Sequence, residues 1–280
     1  MKLLSRALVC VAALLLGAAS AGSACAASGS HQSYGPDPAQ RLDIYLPAQP
    51  KGAPILVMVH GGAWRFGRPD AASVVENKVA HWVRERGFVF VSVGYRLVPQ
   101  VDVRTQAQDV ASALAEVQKL ASGWGADAAG VVLMGHSAGA QLVALLSASP
   151  SIAKSQGARD WAGTVVLDSA ALDTVGLMQA PHARLYDQAF GADPALWRDV
   201  SPSAQLEPGS VPMLLVCSSE RRDDSCAQSR RFASLVKSVG GQAEVLPQAL
   251  SHMEVNALLG QPSGYTSAVD RFIDKVLAGR

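Results

Sequence analysis

The stretch VVLMGHSAG, residues 131–139, decides the fold. Its apolar run at 131–134 predicts a buried strand, and the apolar residues at 140–146 predict a helix. Between them stands a G-x-S-x-G pattern centred on Ser137. A strand that enters a helix through this pattern is typical of a nucleophile elbow, a turn too tight for side chains at its glycine positions. The pattern alone could also be an ordinary Gly/Ser loop, but the flanking elements favour an exposed nucleophile.

Apolar runs and helical patterns alternate along the rest of the chain. Strands are predicted at 42–46, 55–59, 88–93, 164–167, 213–216 and 243–246. Helices are predicted at 74–86, 102–120, 228–239 and 265–277. This alternation predicts an α/β fold with a mainly parallel, doubly wound sheet. The segment at about 174–206 interrupts the alternation, and we expect it to form a small cap insertion over the site.

Residues 1–26 have the pattern of an export signal. Two basic residues precede an apolar stretch at 7–19, which has about the length of a signal-peptide core and is short for a membrane span. Ala24-Cys25-Ala26 fits an A-x-A cleavage site, so we expect a catalytic domain at 27–280 and export to the periplasm or beyond. A lipoprotein anchor on Cys25 is the alternative. It is disfavoured because no large aliphatic residue stands three positions earlier.

Composition narrows the functional classes. The chain has 280 residues, 49% of them hydrophobic, which is enough for a large core. The net charge is +1, without a long basic or acidic run, so nucleic-acid binding is not expected. We predict no transmembrane segment in the mature chain, no metal and no cofactor. Cys217 and Cys226 are predicted to form a disulfide in an exported protein, with two reduced thiols as the alternative.

A second glycine motif, HGGAW at residues 60–64, follows the central strand at 55–59. Adjacent glycines allow backbone N–H groups to point outward, where they can stabilise negative charge on a carbonyl oxygen. We therefore predict an oxyanion hole from the N–H groups of Gly61, Gly62 and Ala138, with Ala63 as a further candidate. A plain glycine turn is the alternative. His60 is expected to be structural.

A nucleophilic serine needs a base and an acid that orients it. His252 follows the last predicted strand and is the predicted base for Ser137. In this architecture the acid stands between them in the chain. We expect it in the loop after 213–216, where the predicted disulfide would fold residues before Cys226 back toward the strand end. Asp224 is the first choice, followed by these acids in order: Glu220, Asp223 and Asp168 after the previous strand.

Four motifs together resemble the α/β-hydrolase superfamily: HGGAW at 60–64, GYR at 94–96, GHSAG at 135–139 and SHME at 251–254. The chain is similar to its hormone-sensitive-lipase-like carboxylesterase branch, especially the feruloyl-esterase-like and kynurenine-formamidase-like proteins, over about 34–278. The resemblance implies an α/β-hydrolase fold and a small-molecule ester substrate.

These observations predict a serine carboxylesterase that hydrolyses small or medium carboxylic esters through an acyl-enzyme. Three alternatives remain open at this point. The same residues could serve an arylformamidase or feruloyl-esterase-type hydrolase, or an acyltransferase. The chain could also be a catalytically dead binding protein on a hydrolase fold, although such proteins typically lose the serine, the histidine or the oxyanion glycines.

Overall fold

The computed structural model describes residues 29–280, so the predicted export signal and its cleavage site lie outside the described residues. Within this range eight strands form one sheet in the order β1-β2-β4-β3-β5-β6-β7-β8. β1 and β2 run antiparallel to their neighbours, and every other pair is parallel. The strands are β1 Ser30–Ser33, β2 Arg41–Tyr45, β3 Ile55–Val59, β4 Val89–Val93, β5 Val131–His136, β6 Gly163–Leu167, β7 Met213–Ser218 and β8 Ala243–Gln248. The predicted mainly parallel sheet is confirmed.

Helices cover both faces of the sheet. They are α1 Ala72–Lys78, α2 Val103–Trp124, α3 Ala138–Ala148, α4 Pro150–Ser155, α5 Thr174–Gln179, α6 Arg184–Phe190, α7 Pro194–Asp199, α8 Ser225–Ser238, α9 His252–Ala257 and α10 Gly264–Ala278. Alternate residues of β3 show the two layers. Val57 and Val59 pack with α2 and α3, whereas Leu56 and Met58 pack with α10 on the opposite face. All of β3 is therefore buried, as its continuous apolar run predicts.

Local differences from the predicted elements have local causes. β1 is not among the predicted strands; its four residues are exposed and pair with β2, so no apolar alternation marks it. α1 ends at Lys78 and continues as a π-helix, Val79–Glu85. α2 runs on to Trp124, where Gly125 ends it with a φ of 75°. This left-handed conformation favours glycine at a helix end.

The segment after β6 carries three short helices, α5, α6 and α7, on the side of the sheet where β5 ends. Phe190 of α6 meets the ring of Trp64 edge-on at 4.7 Å, and Tyr186 lies 6.1 Å from the same ring. Arg65 donates a hydrogen bond to Gln188 of α6. These contacts fix α6 against the glycine-rich loop at 60–67.

A fully buried lysine connects α1 to α9. The ammonium group of Lys78 donates to the main-chain oxygens of Asn256, at 2.7 Å, and Ser73, at 3.3 Å. No carboxylate pairs with it within residues 29–280. Burial lowers the pKa of Lys78 to about 7 from an ordinary value of 10.5. The folded chain therefore holds this proton less tightly than the unfolded chain does.

This pKa predicts that stability rises with pH. Between about pH 7 and pH 10.5 the unfolded chain binds the Lys78 proton and the folded chain releases it, so raising the pH favours folding. Between pH 7 and pH 9 we expect the gain to be on the order of a few kcal/mol. Urea unfolding of wild type and Lys78→Met at both pH values measures it. Methionine keeps the apolar stem without the charge, so the variant should lack this gain. If the free energy of unfolding changed equally with pH in wild type and in Lys78→Met, the prediction would be contradicted.

Candidate active site

Ser137 stands at the turn from β5 to α3 in a strained conformation, with φ 57° and ψ −115°. Such a backbone costs about 1–3 kcal/mol and persists only where the surroundings enforce it. A Cβ at Gly135 would lie 2.3 Å from the oxygen of Gly139, and one at Gly139 would lie 2.3 Å from the oxygen of Val59. Both glycines of the pattern are therefore required by packing, and they allow Ser137 to face the cavity. The predicted elbow geometry is confirmed.

His252 links the serine to a buried acid. Its Nε2 lies 2.9 Å from Ser137 Oγ, and its Nδ1 lies 2.6 Å from Oδ2 of Asp168. His252 is the first residue of α9, whose N-terminus is held by a capping box between Ser251 and Glu254. The structure thus brings the predicted nucleophile and base together, and places the carboxylate of Asp168 against the other nitrogen of the histidine ring.

Asp168 follows β6 directly and is completely buried. The N–H of Ser218 donates to its Oδ1 at 2.9 Å, the hydroxyl of Ser225 donates to Oδ1 at 2.7 Å, and Arg221 donates to Oδ2 at 3.0 Å. Burial alone would raise the pKa of this carboxyl, but the hydrogen bond with His252 and these donors outweigh burial and hold the pKa well below its usual range. Asp168 is therefore a carboxylate at neutral pH.

The first-choice acid, Asp224, is wrong. Its side chain is 67% exposed and caps α8, accepting from the N–H of Ala227 at 3.0 Å. The predicted disulfide is present between Cys217 and Cys226, with Cα atoms 5.1 Å apart. It does fold the loop back, as argued from the sequence. The residue that it turns inward is Ser225, and Asp224 points to solvent.

The other acids of this loop do not reach His252 either. Glu220 is exposed. Asp223 holds the guanidinium of Arg221, accepting from its Nε at 2.8 Å. Position in the sheet explains the error. β6 is the direct neighbour of β5, so its C-terminal end lies beside the elbow, and the N–H of Ser137 donates to Leu167 at 2.9 Å. β7 lies one strand further away.

The loop at 60–67 approaches the serine closely. A Cβ at Gly61 would lie 2.8 Å from the Cβ of Ser137, and Gly62 has a φ of 123° that favours glycine. Ala63 and Trp64 also have positive φ values, so the loop is strained beyond its glycines. Within residues 29–280 no acceptor is found for the N–H groups of Gly61, Gly62 and Ala138. These three amides are free to bind an oxygen beside Ser137.

Buried polar contacts hold this loop in place. The hydroxyl of Tyr95 donates to the oxygen of His60 at 2.9 Å, and the two rings stack with centroids 4.5 Å apart. The indole N–H of Trp64 donates to Gln141 of α3 at 2.9 Å. Burial lowers the pKa of His60. His60 is thus part of the loop's support, as the sequence predicts.

Two further residues beside Ser137, His252 and Asp168 were not singled out from the sequence. Nε2 of His136 lies 2.9 Å from the main-chain oxygen of His252, and the two rings lie 4.6 Å apart. Burial, followed by the charge of His252, lowers the pKa of His136 to about 3, so it is neutral and donates through Nε2. Arg221 lies beside both Asp168 and His252. The sequence offered one signal for Arg221, which is that it stands in the loop directly after β7.

A cavity of about 510 Å³ opens above Ser137. It is lined by the glycine-rich loop, the start of α1, residues of α6 and α9, the elbow at Ser137, the start of the loop after β6 and Arg221. Three large apolar side chains at its edge are exposed: Phe66 by 64%, Met253 by 57% and Leu185 by 40%. We call these three the apolar rim. The volume falls in the range of small-molecule sites.

Over residues 29–280, no cluster of three His, Cys, Asp or Glu side chains is arranged to hold a metal ion. In the same part of the chain, no helix is both long and apolar enough to span a bilayer.

Comparisons with known proteins give a family match and several relatives. The family model described as BD-FAE matches residues 42–236. The isoprenylcysteine alpha-carbonyl methylesterase ICME of Arabidopsis thaliana is 27% identical over 231 residues, which are 76% of this chain and 53% of that protein. Esterase LipC of Mycobacterium tuberculosis is 26% identical over 223 residues, 74% of this chain and 54% of LipC. The chain spans about half the length of these curated relatives.

Among solved structures, Thermogutta terrifontis esterase 2 phosphoramylated by tabun superposes with a TM-score of 0.70 at 22% identity. The match covers 89% of this chain and 95% of that structure. At this identity the likeness speaks for the fold alone. Together with the sheet order, it confirms the α/β-hydrolase fold that the four motifs predicted.

Proposed function

Since this chain belongs to the BD-FAE family, we propose that it is a serine carboxylesterase acting on small or medium carboxylic esters. The observation that carries the proposal is the unbroken line of hydrogen bonds from Ser137 through His252 to Asp168. A nucleophile, a base and an orienting acid in this order are the requirements of two-step acyl transfer. The named esterase relatives support the same reaction class.

In the proposed first step, Oγ of Ser137 attacks the ester carbonyl carbon while Nε2 of His252 takes the hydroxyl proton. Asp168 accepts from Nδ1 of His252 and stabilises the imidazolium that forms. The bond to the leaving alcohol then breaks, and His252 returns the proton to the alcohol oxygen. A water molecule, deprotonated by His252, attacks the acyl-enzyme and releases the acid. Ser137 recovers its proton.

The N–H groups of Gly61, Gly62 and Ala138 are proposed to hold the carbonyl oxygen while it is negatively charged. Their free donors and the close approach of Gly61 to Ser137 support this assignment. Fixed donors stabilise the charge without reorganising during the reaction, and one such donor is worth roughly 100- to 1,000-fold in kcat. The contacts of His60 and Trp64 described above keep these amides in position.

Export is also part of the proposal. The leader pattern at 1–26 and the disulfide between Cys217 and Cys226 both suit an oxidising compartment, the periplasm or the exterior. The disulfide closes the loop that supplies Ser218 and Ser225 to Asp168. The compartment and the site are therefore compatible.

A p-nitrophenyl ester series from acetate to laurate tests the function, with methyl ferulate and N-formylkynurenine measured beside it. We expect turnover of short and medium esters and a fall in kcat/KM once the chain outgrows a cavity of about 510 Å³. We also expect a fluorophosphonate probe to label the protein at Ser137. A preference for methyl ferulate would indicate a feruloyl-esterase-type hydrolase, and a preference for N-formylkynurenine would indicate an arylformamidase. If the protein shows no turnover of any of these substrates and is not labelled by the probe, the result favours the binding-protein alternative.

A further inference from the structure

We propose that Arg221 and Asp223 form a charge pair that positions Asp168 and His252 and sets the electrostatic balance at His252 during the reaction. The role rests on the proposed function, since it concerns the charge that His252 gains when Ser137 loses its proton. Neither residue is a catalytic group, because Arg221 contacts the acid and the base, and the Asp223 carboxylate, among residues 29–280, forms its side-chain hydrogen bonds with Arg221. Both are positioning residues.

Arg221 occupies a point shared by the acid and the base. Its Nη1 lies 3.0 Å from Asp168 Oδ2, 3.2 Å from the main-chain oxygen of Asp168 and 3.0 Å from His252 Nδ1. Since Nδ1 of His252 donates to the same Oδ2 at 2.6 Å, one carboxylate oxygen receives two donors. The arginine side chain is only 17% exposed, so water screens its charge weakly.

Asp223 fixes the other side of the guanidinium. It accepts from Nε of Arg221 at 2.8 Å and also from Nη2, which is the bidentate geometry that arginine and carboxylate favour. Arg221 is therefore held in one orientation, with Nη1 left for Asp168. Asp223 also places a second negative charge beside the guanidinium, in addition to that of Asp168.

The loop that carries this pair is closed by the disulfide between Cys217 and Cys226. Three of the donors to the Asp168 carboxylate come from this one loop, namely Ser218, Arg221 and Ser225. A loop held at both ends can place these donors with little freedom. The loop between the two cysteines thus holds the carboxylate of Asp168 in place. Arg221 is the residue of this loop that also contacts His252.

Counting charges gives opposite expectations for the two residues. Asp168, Arg221 and Asp223 together carry −1. Without Arg221 they would carry −2, which favours a positive imidazole ring on His252. Without Asp223 they would carry zero, which opposes it. Without both, the charge returns to −1.

The other titratable groups around His252 and Asp168 would not produce opposite shifts on removal of Arg221 and of Asp223. Burial lowers the pKa of His136 to about 3 and raises the pKa values of Tyr186 and Tyr265, so all three stay neutral between pH 5 and pH 8. Lys78, whose charge acts on His136, titrates near pH 7 but is unchanged in every variant. Its contribution therefore cancels when the variants are compared.

The test is the acidic limb of the pH profile of kcat/KM for p-nitrophenyl butyrate, between pH 5 and pH 8. We expect its midpoint to rise by roughly one pH unit in Arg221→Met and to fall by roughly one in Asp223→Asn. The double variant should return close to the wild-type midpoint. Asp224→Asn is the matched control, because this exposed acid of the same loop points away from His252. It should leave the midpoint in place.

A purely structural role would lower kcat in the variants without moving the midpoint, and that result would overturn the proposal. Shifts of both single variants in one direction would overturn it too. Titration of the His252 ring by NMR in wild type and the four variants gives a readout that needs no turnover. If wild type hydrolyses no ester, the proposed function fails, and the direction of the NMR shifts still decides the role of the charge pair. Circular dichroism verifies that each variant is folded.

Discussion

Ser137→Ala is expected to lower kcat for p-nitrophenyl butyrate by about 10⁵- to 10⁶-fold, the range seen when a catalytic serine is removed. The hydroxyl is the only group of this side chain that contacts His252, at 2.9 Å. Alanine keeps the Cβ that packs beside Gly61, so the elbow should fold as before. Steady-state kinetics measure the loss, and thermal unfolding should change by no more than a few degrees.

The matched control for this substitution is Ser169→Ala. Ser169 lines the same cavity, but its hydroxyl accepts from the N–H of Ala171 at 3.2 Å and does not contact His252. We expect the control to retain turnover and probe labelling within a few-fold. If pure Ser137→Ala protein still hydrolysed the ester at a wild-type rate, Ser137 could not be the nucleophile.

Asp168→Asn is expected to reduce kcat by roughly 10⁴-fold, as in other triads where an amide replaces the acid. The amide cannot supply the negative charge that stabilises the His252 imidazolium, and it can hold the ring in the wrong tautomer. Arg221 also loses its anionic partner inside the site. Single-turnover and steady-state measurements should both show the loss, since the acid serves acylation and deacylation alike.

Asp224→Asn is the paired control that separates the two candidate acids. Its carboxylate contacts the start of α8, and asparagine caps helices about as well as aspartate does. Turnover should therefore stay within about two-fold of wild type. The opposite ranking, with Asp224→Asn inactive and Asp168→Asn active, would mean that the loop changes its arrangement in solution.

The sheet and the elbow could be predicted because each depends on a short-range pattern. Continuous apolar runs mark the buried strands, and the two glycines around Ser137 are dictated by contacts within the turn itself. β1 was not predicted, because an exposed edge strand needs no apolar pattern in its sequence. The same limit applies to the ends of helices, which depend on single residues such as Gly125.

The acid could not be fixed from the sequence, because its choice depends on which strand lies beside β5. Chain order places Asp168 and Asp224 after consecutive strands and gives no ranking between them. The sheet order puts the end of β6 beside Ser137, and burial then makes Asp168 the carboxylate that His252 reaches. The disulfide was predicted correctly, yet it turns the side chain of Ser225 inward, where Asp224 was expected.

The apolar rim has a consequence for how this protein can diverge. Phe66, Leu185 and Met253 come from three distant parts of the chain, and each is at least 40% exposed. Substitutions at exposed positions usually change stability by less than about 0.5 kcal/mol. Natural variants can therefore replace these side chains one at a time without disturbing the sheet or the hydrogen bonds of Ser137. Under the proposed function, closely related descendants can share one reaction and differ in the esters that they accept.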